Sequence, residues 1–181
     1  MAGALQGLVN SIVATTAGLP DPRELATWSP ALSGDIPIVI GRDGAWEHAG
    51  GLIQREGLVR LFASLLRRED DGDYYLVTPV EKWRIQVQGH ALVAIDCACT
   101  DYHGERVWFV RLNTGGRCHL GGACRLIAAG DDSAPWVSLP NGLSAQLTRA
   151  AWYRLVDAAT FVDGRALIVS AGETIDLGAV E

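Results

Sequence analysis

The sequence predicts an α+β fold of two small domains that share a duplicated strand-strand-helix-strand-strand core, with mainly antiparallel sheets. Three observations predict it. Leu58, Leu61, Phe62, Leu65 and Leu66 fall at i, i+3, i+4, i+7 and i+8, one face of a helix. The segments on either side alternate with the two-residue period of strands instead. That helix then recurs: Arg55-Glu56-Gly57-Leu58-Val59-Arg60-Leu61-Phe62 aligns with Arg149-Ala150-Ala151-Trp152-Tyr153-Arg154-Leu155-Val156, ninety-four positions later. The turns recur with it. Asp43-Gly44 and Asn141-Gly142 precede the two helices, and Asp71-Gly72 and Asp163-Gly164 follow them. Tyr75-Leu76-Val77-Thr78 then runs beside Leu167-Ile168-Val169-Ser170, and Glu81 falls on Glu173. Agreement of turn, helix, turn and strand in one order indicates an internal duplication.

Taken in order, residues 1–33 read as a short N-terminal helix and an extended lead-in segment, since Pro20, Pro22 and Pro30 with Trp28 disfavour a helix there. The N-terminus is mildly apolar but lacks a basic region, so no signal peptide is expected. The first core copy spans 34–88. Ile36, Val39 and Ile40 begin a strand that ends at the Arg42-Asp43-Gly44 turn, and Ala45 to His48 returns. Gly50 and Gly51 loosen the chain before Leu52-Ile53 and the helix that runs from Leu58 through Leu66. Glu69 to Asp73 forms an acidic turn, and Tyr75 to Thr78 is the next strand. Pro79 removes a ladder donor, and Lys82 to Gln88 alternates again. Residues 89–130 hold strands at Ala91–Thr100, Val107–Leu112 and Cys124–Ala128, expected to extend the sheet of the first domain. The second core copy spans 131–181.

The chain of 181 residues is long enough to bury a substantial core. Its net charge of −6 argues against general binding to nucleic-acid polymers or anionic membranes. No apolar run reaches membrane-spanning length. A cytoplasmic setting with free thiols is therefore expected for the four cysteines, Cys97, Cys99, Cys118 and Cys124. The i, i+2 pair Cys97 and Cys99, with Cys118, His119 and Cys124, makes a zinc site conceivable, and His103 could compete as a ligand. The spacing matches no zinc knuckle, and small buried cysteines are the commoner outcome.

Among 15 Lys and Arg residues, Lys82 is the only lysine. It lies in Thr78-Pro79-Val80-Glu81-Lys82-Trp83, a strand corner that concentrates a hydroxyl, a carboxylate, an ammonium and an indole. Lys82 could meet a ligand phosphate or carboxylate with Glu81 orienting it; the competing reading is a structural ion pair. Arg60 and Arg67, read as two turns apart on one helix, could form an anion-binding edge, with Arg68 beside them. A simply solvated helix face explains the same arginines. The Asp70-Asp71-Gly72-Asp73 run lacks the spacing and distal Glu of an EF-hand. No dinucleotide, P-loop, zinc-protease or nucleophile-elbow motif occurs, so no cofactor and no catalytic residue is assigned.

Trp28-Ser29-Pro30, Gly34-Asp35-Ile36, Arg42-Asp43-Gly44-x-Trp46, Leu58-Val59-Arg60-Leu61-Phe62 and Leu66-Arg67-Arg68-Glu69-Asp70-Asp71-Gly72 through Tyr75-Leu76-Val77-Thr78-Pro79-Val80-Glu81-Lys82 carry a family resemblance. Over more than two-thirds of its length the chain resembles the bacterial domain-of-unknown-function 1285 family. The resemblance implies two domains with a duplicated core, the C-terminal one pleckstrin-homology-like. It also implies a pocket between them for a nucleotide-like ligand in signal transduction. The chain departs from that family's pattern in its cysteines and in Arg165–Leu177, which lacks a Trp-Ser-Gly-Gly run. The expected function is thus a binding or signalling module in which Lys82, Arg60, Arg67 and Arg68 meet a small anionic ligand, with Glu81 and Thr78 fixing the geometry. The alternatives are a protein-interaction module and an enzyme using Glu81 as a general base. Oligomeric state is not legible in the sequence.

Overall fold

The computed structural model describes residues 21–128 and 134–179, so the helix expected near the N-terminus lies outside the described residues. The chain divides into two compact units. One is built on the chain up to Gly89 with Asn141–Leu143, the other on His90–Pro140 and the chain from Ser144 onward.

In the first unit the lead-in segment expected to be extended instead holds a short helix, α1 (Pro22–Leu25). Pro22 is tolerated at a first helical position, and Asp21 caps the helix, its Oδ1 accepting from the Arg23 N–H at 2.8 Å. Next come β1 (Leu32–Ile40), β2 (Trp46–His48) and β3 (Gly51–Leu52). Helix α2 (Glu56–Ser64) follows, then β4 (Leu66–Arg68), β5 (Tyr74–Val77) and β6 (Lys82–Val87). These strands form one sheet in the order β3-β2-β1-β6-β5-β4. Only the β1–β6 pair is parallel. Ile36, Ile38 and Ile40 alternate along β1 and are all buried, as a half-buried strand requires. Trp46 on β2 stacks on Phe62 of α2, ring centroids 6.2 Å apart, so the apolar stripe of the helix is spent on this sheet.

The helix stops earlier than its apolar pattern suggests. Leu65 is the C-cap and Leu66 begins a strand, with Leu66, Arg67 and Arg68 paired to Leu76, Tyr75 and Tyr74. Leu65 and Leu66 are both fully buried. A helix would splay two consecutive leucines, whereas a cap followed by a strand buries one under the helix and the other in the sheet. Arg60 and Arg67 therefore do not share a helix face: the first is helical and the second is on β4.

The second unit contains β7 (Leu92–Tyr102), β8 (Glu105–Leu112), β9 (Arg117–His119), β10 (Arg125–Ile127), β11 (Trp136–Ser138) and β12 (Ser144–Leu147) in the order β10-β11-β12-β7-β8-β9. Here too a single parallel pair, β7–β12, joins two antiparallel meanders. The strands over 89–130 thus belong to the second sheet and do not extend the first. The parallel ladder of Leu92, Val93 and Ala94 with Ala145, Gln146 and Leu147 claims β7, and β8 to β10 follow it. Helix α3 (Arg149–Asp157) packs on β7, and β13 (Thr160–Val162), β14 (Arg165–Ser170) and β15 (Glu173–Ala179) form a separate three-stranded antiparallel sheet. Buried Ser170 ties that sheet to its neighbours: its hydroxyl accepts from the Trp108 N–H (3.0 Å) and donates to Leu120 O (2.7 Å). The tight turn expected at Asp163-Gly164 joins β13 to β14, with φ of 49° and 75° at its two residues, the left-handed values that a two-residue hairpin demands.

The duplication is present at two levels. The order hairpin, nine-residue helix, three-strand meander occurs twice, with α2 and α3 in equivalent places. The two six-stranded sheets also share one topology, in which the first and last strands of each sheet pair in parallel at the centre. The two correspondences differ in which strands they equate, because β12 takes β7 as its parallel neighbour while β15 stays in the small sheet.

Candidate functional site

The residues singled out from the sequence lie around β4, β5 and β6, whose register decides which of them meet. Arg67 lies opposite Tyr75, and Tyr75 opposite Arg84, so the three form one row on one sheet face. Lys82, two residues before Arg84, shares that face, as does Glu69, two residues beyond Arg67.

Glu69 is the centre of the cluster. One carboxylate oxygen accepts from Lys82 Nζ at 2.8 Å, and the other accepts a short bond from the Arg67 guanidinium. All three side chains are mostly buried. Burial alone would push the Glu69 carboxyl up, but hydrogen bonds and charge from Lys82 and Arg67 more than offset it, and its pKa lies below the ordinary carboxylate value. The Lys82 ammonium also sits 4.7 Å from the Tyr75 ring centroid, a cation–π contact. The Tyr75 hydroxyl donates to Asp71 at 2.6 Å, which drives the phenol up to about 12 and the Asp71 carboxyl down. A compact ammonium fits between a carboxylate and a ring face, which gives the sole lysine a structural reason to be Lys.

Arg67 also donates to Leu25 O (3.1 Å) and Trp28 O (2.7 Å). These carbonyls end α1 and the turn after it, so Arg67 anchors the lead-in segment, and Leu25 and Trp28 pack against Tyr75 and Val77 on the same face. Arg68, the next residue along β4, points the other way: its Nε donates to Gly72 O (3.2 Å), and its guanidinium lies 5.5 Å from the Tyr74 ring centroid. No carboxylate among the described residues pairs with it.

Thr78 and Glu81 form the corner itself. The buried Thr78 hydroxyl accepts from the N–H groups of Val80 (3.3 Å) and Glu81 (2.9 Å), and the Thr78 N–H donates to Glu81 O (2.9 Å). The hydroxyl also donates to Glu81 O (3.3 Å), so one side chain closes the corner around Pro79 both as acceptor and as donor. The Glu81 carboxylate accepts from the Trp83 indole N–H at 3.5 Å. Arg60 stands apart, paired on the helix surface with Glu56 at 3.2 Å. The structure therefore gathers Lys82 and Arg67, sets Thr78 and Glu81 at the adjoining corner, directs Arg68 to the opposite face and leaves Arg60 on α2.

Glu69 was legible only as a turn residue, because its role depends on Arg67 being on a strand, where i and i+2 share a face. The Asp71–Tyr75 bond had no sequence signal beyond proximity. Arg67, Arg68, Glu69, Asp70 and Asp71, with Ser29, line an open groove of about 530 Å³ in the first unit. Among the described residues no three His, Cys, Asp or Glu side chains are grouped to hold a metal ion, so the zinc arrangement conceivable from the sequence is not assembled. Nor is any described helix long and apolar enough to cross a membrane.

The model of the family described as "Domain of unknown function (DUF1285), N-terminal domain" matches residues 24–90, and that for the DUF1285 C-terminal domain matches residues 91–177. The chain is similar to a DUF1285 family protein from Silicibacter pomeroyi DSS-3 of known crystal structure. Identity is 34%, over 96% of this chain and 95% of that one, with a TM-score of 0.80. It is also similar to a DUF1285 family protein from Shewanella baltica OS155, with 28% identity, coverage of 67% and 91%, and a TM-score of 0.56. No curated protein matches it. The two domain models meet at His90–Ala91, one residue past the main segment of the first compact unit, and together span nearly all the described residues, so the chain belongs to the DUF1285 family.

Proposed function

We propose that the chain is a cytoplasmic ligand-binding module, acting in signalling, that takes a small anionic, nucleotide-like molecule on its first unit. The observation that carries the proposal is the groove beside β4 and the 69–73 turn, with Arg68 on its wall. Arg67 and Lys82 already share the Glu69 carboxylate, and Arg84 is paired with Asp35 and Asp73. Arg68 is the cation of this region whose charge no described carboxylate meets, so it is the group to receive a phosphate or carboxylate. The rest of the lining, Ser29 and the acceptor carboxylates Asp70 and Asp71, suits the hydroxyl and amino donors of a nucleoside. Lys82, Glu69 and Arg67 then act beneath the site, holding β4 and the turn in place. Arg60 has no part in it, and Thr78 and Glu81 support it by building the corner.

Titration calorimetry with nucleotides and cyclic nucleotides tests this reading. Arg68→Ala should abolish binding of whichever nucleotide binds the native chain, with the melting temperature little changed. Undiminished affinity in Arg68→Ala overturns the site.

A second reading rests on a different surface. Phe161 and Val162 lie exposed on β13, the outer strand of the small sheet, where a partner segment could add as another strand. Phe161→Asp abolishes capture of a protein partner under that reading and leaves nucleotide binding untouched.

A further inference from the structure

The second unit holds an arrangement of thiols that the nucleotide-site reading does not use. Strands β9 and β10 are the two outermost strands of its six-stranded sheet, yet only five residues of chain separate them. The chain crosses from one edge to the other through an isolated antiparallel bridge between Gly121 and Cys124, in which the Gly121 N–H donates to Cys124 O at 3.0 Å. This bridge is the seam at which the sheet curls back on itself. Cys118, on β9, and Cys124, just before β10, flank the seam, and their thiols lie close enough to shift each other's ionisation. Cys97 lies in register with Val110, and Val110 with Cys118, so Cys97 sits two strands away on the same face. Cys124 is buried and Cys118 half-buried.

The seam is also where the small C-terminal sheet attaches. Between the two cysteines, the Leu120 N–H donates to Trp108 O (2.8 Å) and Leu120 O accepts from Ser170. A Cβ placed on Gly121 would lie 3.3 Å from a carboxylate oxygen of Glu173, the first residue of β15.

We propose that Cys118 and Cys124 form a redox pair, which a small hydroperoxide converts to an intramolecular disulfide across the seam. The neighbouring Cys118 thiol lowers Cys124, while Cys124 and burial raise Cys118. One sulfur of the pair ionises and attacks, Cys124 in the order that this shift gives, and the other resolves. In the first step the Cys124 thiolate attacks the peroxide, the O–O bond breaks, and a sulfenic acid forms with release of water or an alcohol. In the second step Cys118 sulfur attacks that sulfenic sulfur, the S–O bond breaks, and water leaves with the Cys118 proton. Two electrons pass from the sulfurs to the peroxide, and a dithiol reductant reverses the change. The bond would hold β9 and β10 together covalently and restrict the Leu120–Ala123 turn on which Ser170 and Glu173 rest.

The test is to titrate the reduced, folded full chain with hydrogen peroxide, count free thiols, and map the linkage by peptide mass. The native chain should fall from four free thiols to two, with a Cys118–Cys124 cross-linked peptide that dithiothreitol reverses. Cys99→Ser should retain that linkage; Cys118→Ser and Cys124→Ser should each lose it. Persistence of all four thiols at peroxide levels that oxidise free cysteine overturns the proposal, as does a bond to Cys97 or Cys99, or oxidation to sulfinic acid without a cross-link.

Discussion

At the scale of single residues the first unit turns on Glu69, a carboxylate that bridges Lys82 and Arg67 beneath the lead-in segment. Removing one partner of a buried pair leaves an uncompensated charge, which costs more than the pair contributes. Glu69→Gln should therefore lower stability by roughly 1–3 kcal/mol at neutral pH, read by urea unfolding. Lys82→Met should cost less, because Arg67 still meets the carboxylate. The folded-state pKa of Glu69 is depressed, so its contribution is fully present above the unfolded value of about 4.5 and is lost as pH falls through the folded one. Native stability should decline as acid is added below that point, and the Glu69→Gln chain should show a flatter decline. Equal slopes in the two chains would remove Glu69 from the network. Thr78 gives a separate residue-scale test. Thr78→Val leaves two corner N–H groups without their acceptor and should cost about 1–2 kcal/mol, while Thr78→Ser keeps most of it. The sequence marked Thr78, Glu81 and Lys82 as a corner that mattered. It could not say that Lys82 answers to Glu69, since that pairing follows from cross-strand register and not from adjacency.

At the scale of elements the two helices make a natural comparison, because they recur in the duplicated order with different starts. Helix α3 begins at Thr148, whose hydroxyl accepts from the Ala151 N–H at 3.2 Å. Helix α2 begins at Arg55, already in the extended conformation a cap needs (φ −76°, ψ 99°) but with no side-chain acceptor. Thr148→Ala should cost about 1 kcal/mol, and Arg55→Asp should add roughly 0.5–1 kcal/mol by capping the helix and complementing its dipole. Thermal unfolding of the two variants should move in opposite directions; a loss in Arg55→Asp would contradict the cap geometry. Both helices were legible from their apolar period, and the Asp163-Gly164 turn from its dipeptide. The end of α2 was not. Leu65 and Leu66 satisfy the helical stripe in the sequence, and only the pairing of Leu66 with Leu76 decides for the strand.

At the scale of the whole molecule each six-stranded sheet has its parallel pair at the centre, β1–β6 in one and β7–β12 in the other. Amides of those pairs should exchange slowest with solvent, and those of β3 and β13, short strands at sheet edges, fastest. A hydrogen-exchange map in which β13 is as protected as β7 would point to a partner strand on that edge. By itself the sequence determined the α+β class, the repeated hairpin-helix-meander order and the position of most strands. Each of these rests on local period, turn dipeptides and self-similarity within a few dozen residues. Tertiary structure decided where the strands over 89–130 belong. Their alternation is the same whichever sheet they join, and the choice lies in the ladder between β7 and β12, about fifty residues apart in the chain. It also decided which charges meet around Glu69 and which thiols meet at the seam, because strand pairing brings together residues that sequence spacing holds apart.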